Sequence, residues 1–111
     1  MSNIITLTEK ICKVKKISAD NIRAIELLYN KEREISAVRM KTTDGFIVIC
    51  HNVFYVEKST KVFNNIREAI QYYDNHQFTM KRIIQLTGAS RSHCSEIMKR
   101  KEKQHDEKED M

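Results

Sequence analysis

The chain has 111 residues with 20 Lys+Arg against 15 Asp+Glu, a formal net charge of +5, no proline, no tryptophan and two glycines. The glycines, Gly45 and Gly88, lie 43 positions apart. The clustered glycines that let a backbone approach a nucleotide's phosphates are therefore lacking. The longest apolar runs, Phe46 to Cys50 and Val53 to Val56, fall far short of the ~20 residues that span a bilayer, and the first nine residues lack the charge and apolar core of a secretory signal.

Residues 4–17 support two readings. Ile4, Leu7, Ile11 and Val14 form a helical stripe, whereas Lys10 to Lys15 fit an edge strand. In 19–29, Ile22, Ile25, Leu28 and Tyr29 share one helical face with Ser18 or Asp20 as N-cap, so a helix is expected. A strand turning at Asn30-Lys31 is the alternative. Ser36, Val38 and Met40 alternate with Ala37, Arg39 and Lys41, the period of a half-buried strand. Thr43-Asp44-Gly45 supplies a hairpin turn, and Phe46 to Cys50 returns as a strand apolar on both faces. His51-Asn52 is read as a second turn, Val53–Glu57 as a third strand and Lys58–Lys61 as a third turn, with Val62-Phe63 leaving the sheet. From residue 64 the period is helical. Asn65 and Glu68 match a capping box, and Ile66, Ala69, Ile70 and Tyr73 form an inward stripe ending near Asp74-Asn75-His76. Thr79 caps a second helix carrying Ile83, Ile84 and Leu86, and Gly88 breaks it. Ser90 caps a third, with Cys94, Ile97 and Met98, that runs into the lysine-rich end. Residues 104–111 form an acidic tail without apolar periodicity.

This predicts an α+β fold: a small antiparallel β-meander with a C-terminal three-helix helix-turn-helix. The N-terminal α/β portion covers 1–63, the helical portion 64–103 and the tail 104–111. Residues 78–104 carry a net charge of +5 and residues 105–111 a net −3.

The segment Thr79 to Lys99, and above all Leu86-Thr87-Gly88-Ala89-Ser90-Arg91-Ser92, resembles the helix-turn-helix of phage repressors, resolvase-type recombinases and small bacterial regulators. The likeness covers about residues 64–103. It implies that Ile83 and Leu86 seat the first helix, Gly88 permits the reversal, Ala89 tucks under the turn, and Cys94 and Ile97 anchor the second helix. Ser90, Arg91, Ser92, Ser95, Glu96 and Lys99 are then left to meet a major groove, where Arg91 can reach guanine or a phosphate. Thr79, Lys81, Arg82, Arg100, Lys101 and Lys103 are the candidate backbone contacts. Ile84 stands where these families usually place a small residue, which implies a wider helix crossing or a shifted register.

Other chemistries gather less support. Cys12, Cys50 and Cys94 contain no C-x-x-C pair, and on one helix His93 and Cys94 point ~100° apart, so no metal is expected. No local signature supplies a base and orienting group for Cys or Ser nucleophiles. His76 is placed as a helix-end partner. Phe46, Phe54, Tyr55, Phe63, Tyr72, Tyr73 and Phe78 could stack on a single strand, but most are assigned to the core. The expected function is sequence-specific binding of double-stranded DNA by a cytoplasmic, non-enzymatic transcriptional regulator without cofactor, metal or membrane association. It would be a homodimer joined through the 35–57 meander or the 19–29 helix. The alternatives are an accessory DNA-binding protein in plasmid or phage replication, partition or transfer, and a protein-interaction module such as an inhibitor of a host protein.

Overall fold

The computed structural model describes residues 4–99. They form an α+β fold: a four-stranded antiparallel meander sheet followed by three helices. The chain divides into two compact units, Met1–Ile66 and Arg67–Met111. Among the described residues no helix is long and apolar enough to cross a membrane.

The N-terminal unit opens with helix α1 (Ile4–Lys15), so the helical stripe prevails over the edge strand. Leu7 and Ile11 are buried one turn apart, with Val14 packed beside them. The helix ends on Lys16, left-handed at φ 55°, and the Ile17 N–H closes onto the Cys12 carbonyl at 2.9 Å. Strands β1 (Ile22–Tyr29), β2 (Ile35–Thr42), β3 (Ile47–Cys50) and β4 (Thr60–Phe63) then pair in sequence order. One face carries Val38, Met40, Val48 and Cys50, which join Leu7, Ile11 and Val56 in a single core cluster. All four residues of β3 are buried, consistent with its unbroken apolarity.

Two sequence expectations are corrected. Residues 19–29 are not a helix. Ser18 does cap, accepting the Asp20 N–H at 3.2 Å, but it caps only the 3-10 turn Ala19–Asn21. The chain then continues as β1, which pairs with β2 from Ile22↔Thr42 to Tyr29↔Ile35. The turn is built on Asn30, whose Oδ1 accepts the N–H groups of Glu32 and Glu34, both at 2.9 Å. Pairing of seven of the eight residues of β1 with β2 and placement of Ile22 and Leu27 against the core outweigh the helical stripe.

Residues 53–57 are likewise not a strand, and 58–61 are not a turn. Asn52 accepts the Phe54 N–H at 2.9 Å and starts a 3-10 turn, Val53–Tyr55, that passes into the short helix α2 (Val56–Ser59). The Ser59 hydroxyl donates to the Asn52 carbonyl at 2.7 Å and accepts the Asn52 N–H at 3.1 Å, closing the loop. The sheet is completed instead by β4, with Thr60 opposite Cys50 and Phe63 opposite Ile47. A four-residue apolar run cannot distinguish strand from buried helix by period.

The C-terminal unit contains α3 (Ile66–Asn75), α4 (Met80–Thr87) and α5 (Arg91–Ile97). Ala69, Ile70 and Tyr73 are buried, whereas Ile66 is half-buried. Helix α3 stops where expected. Gln77 is left-handed at φ 67°, and the Phe78 N–H reaches back to the Tyr73 carbonyl at 3.0 Å. His76 closes the helix end through Nδ1, 2.8 Å from the Tyr72 carbonyl, with its ring 4.0 Å from that of Tyr72. The tail 104–111 lies outside the described residues.

Candidate nucleic-acid interface

The helix–turn–helix connection is built by local chemistry at each joint. Thr79 starts α4 by accepting the Arg82 N–H at 3.1 Å. Gly88 ends it in the left-handed conformation, φ 75°, with its N–H on the Ile84 carbonyl at 2.9 Å. Thr87 is buried and ties the turn from inside: its hydroxyl donates to the Ile83 carbonyl at 2.7 Å and accepts the Ala89 N–H at 3.2 Å. Ser90 then starts α5 by accepting the His93 N–H at 3.1 Å. Two residues, Ala89 and Ser90, thus separate Gly88 from the next helix.

The inward residues are those that the motif assigns. Ile83, Leu86 and Cys94 are fully buried, and Ala89 and Ile97 are nearly so. Burial pushes the Cys94 thiol up, against smaller opposing effects of the Thr87 hydroxyl and the Arg91 charge. Its neighbour His93 is exposed, so the two side chains diverge as helical geometry requires. Ile84 is half-buried rather than lodged in the interior.

Ser90, Arg91, Ser92, Ser95, Glu96 and Lys99 are all exposed. Arg91, Ser92, Ser95 and Glu96 lie on α5, spread over its two turns. Ser90 serves first as an N-cap, so its hydroxyl oxygen is committed to the helix while its proton stays available to an acceptor. Arg91 rests against α4, with Nη1 3.2 Å from Met80 Sδ. Thr79 and Lys81 are exposed and Arg82 half-buried, with Arg82 Nη1 3.4 Å from Gln85 Oε1. Between 79 and 99 the only carboxylate is Glu96, against Lys81, Arg82, Arg91 and Lys99.

Helix α5 does not run into the lysine-rich end. It stops at Ile97, because Met98 turns to an extended conformation, φ −66° and ψ 134°. Lys99 therefore sits beyond the helix, with its backbone N–H held by Asp74 Oδ2 at 2.9 Å. Arg100, Lys101 and Lys103 lie outside the described residues. Asp74 was not among the sequence candidates. Its signal was present, since Ile70, Tyr73 and Asp74 occupy one buried face of α3 and place an acid where the stripe predicts an apolar residue.

Comparison of the chain with protein-family models, with curated proteins and with solved structures gave no match.

Proposed function

We propose that α4 and α5 form a reading head for double-stranded DNA and that the protein acts as a small sequence-specific regulator. The observation that carries this reading is the division of α5. Cys94 and Ile97 are buried, while Arg91, Ser92, Ser95 and Glu96 stand exposed on a helix started by Ser90 after a left-handed glycine. Short hydroxyl side chains let such a helix approach base edges closely, and Arg91 has the fork geometry for guanine. Lys81 and Arg82, at the start of α4, suit phosphates.

A seven-residue helix is about 10 Å long, which spans about three base pairs at 3.4 Å each. Two heads on a palindrome are the usual answer to so short a footprint. We assign the dimer contact to the outer edge of β1, a terminal strand of the sheet that exposes Ile25 and Tyr29.

Footprinting on DNA flanking the protein's own gene tests the reading. A protected, two-fold symmetric site is expected. Arg91→Ala should reduce discrimination at one base pair per half-site by about 1–3 kcal/mol. Lys81→Ala should weaken all sequences alike and lower the salt slope by about 0.9. Absence of a salt-sensitive duplex complex would overturn the proposal in favour of a protein partner. The positions of the protected sites separate promoter control from a role at a replication or transfer origin.

A further inference from the structure

The N-terminal unit carries a second surface that the duplex-reading head does not use. Sequence patterning places most of the aromatic residues in the core, but Phe54 is 76% and Tyr55 64% exposed. They are not on a loose loop. The Phe54 N–H is held by Asn52 Oδ1 at 2.9 Å, the Tyr55 N–H by the Asn52 carbonyl at 3.0 Å, and the next residue, Val56, is buried in the core. The backbone is thus held at both residues, and their side chains are exposed. They border a groove of about 630 Å³ between α1 and residues 54–58, with Val14 and Val56 among its lining and Lys10, Lys13 and Lys58 as its cations. Lys10 and Lys13 lie one turn apart on α1. Glu57 is the single carboxylate of the lining.

We propose that this groove binds single-stranded nucleic acid, with bases stacking on Phe54 and Tyr55 and the phosphate backbone running past Lys10, Lys13 and Lys58. Exposed aromatic faces beside a basic groove are what sequence-tolerant single-strand binding requires, because every base has a π-face. A duplex does not fit this chemistry, since its bases are already stacked on one another. An acidic peptide would satisfy the lysines but would leave two ring faces without a planar partner. A strand supplies both the charge and the ring.

The test is fluorescence anisotropy of the full chain with a labelled short oligothymidylate. Binding is expected to weaken about fivefold or more in Phe54→Ala and in Tyr55→Ala. In the double variant Lys10→Gln/Lys13→Gln the salt slope should fall by about 1.4, or about 0.7 for each phosphate that is no longer neutralised. All these positions are exposed, and circular dichroism verifies that the variants are folded. Arg91→Ala should bind the oligothymidylate as the parent does, and Phe54→Ala should keep any duplex footprint, so the two surfaces fail or succeed separately. The proposal is overturned if the oligothymidylate does not bind, if Phe54→Ala binds it unchanged, or if a glutamate-rich peptide displaces it at lower concentration than unlabelled strand. Thymidine monophosphate competing as well as the strand would also overturn it, reducing the groove to a nucleotide pocket.

Discussion

The buried Asp74 carboxylate, at the end of α3, accepts the backbone N–H of Lys99, 25 residues later, at 2.9 Å. This bond fixes the direction in which the chain leaves α5. Lys99 is exposed, so water replaces the lost acceptor of its N–H, and removing the bond costs about 0.5–1.5 kcal/mol. Asp74→Ala should lower the urea midpoint accordingly. Asp74→Asn, which retains one oxygen, should lose less. Equal loss in both would mean that the charge rather than the acceptor matters.

Gly88 adopts φ 75°, where a side chain costs about 1–2 kcal/mol. Gly88→Ala should lower stability by that amount and Gly88→Asn by less, because asparagine tolerates the left-handed region. Thermal unfolding of the three proteins checks the order.

Thr60 is fully buried on β4, and its Oγ1 finds no hydrogen-bond partner among the described residues. A buried hydroxyl without a partner is a cost, and Thr60→Val removes it at almost constant shape. We expect a gain of about 1 kcal/mol in chemical denaturation. A loss instead would reveal a hydrogen bond that the hydroxyl makes in solution.

Ile25 is 37% exposed on the outer strand β1. A charge there discourages edge-to-edge pairing. Ile25→Lys should convert the proposed dimer to monomer in analytical ultracentrifugation while leaving the circular dichroism spectrum unchanged. A parent protein that sediments as a monomer would remove the β1 contact from consideration.

Glu26 on β1 faces Arg39 on β2, and the hydrogen bond from the Arg39 guanidinium holds its carboxyl below the ordinary value of 4.5. Because the folded pKa is lowered, the contribution is present above the ordinary value and is lost as pH falls through the lowered one. Glu26 is half exposed, so Glu26→Gln should cost under about 1 kcal/mol at pH 7. The difference between variant and parent should close in urea titrations as the pH falls below the lowered value.

The order of β2, the hairpin glycine, β3 and the three C-terminal helices was legible in the sequence because each is specified locally. Val38 and Met40 alternate with Arg39 and Lys41, Gly45 and Gly88 stand at positive φ, and Thr79 and Ser90 each cap the helix that follows. The interior of the helix–turn–helix connection followed from the same periodicity: Ile83, Leu86, Cys94 and Ile97 are buried together. What only the tertiary structure decided was the fate of segments whose pattern suits two structures. Ile22–Tyr29 has a helical stripe, yet it becomes a strand because β2 offers partners to all its residues but Arg23. Val53–Glu57 reads as a strand, yet it becomes a 3-10 turn and the start of α2 because Asn52 and Ser59 close a loop and β4 takes the place beside β3. The same is true of Asp74, which holds the Lys99 N–H beyond the end of α5 across 25 residues of chain. Local patterns state what a segment can be, and long-range hydrogen bonding determines which of those states is stabilised. The modest +5 of the chain follows this division. Its distribution along the sequence was readable, but the meeting of Lys10, Lys13 and Lys58 beside two exposed aromatic rings depends on the fold.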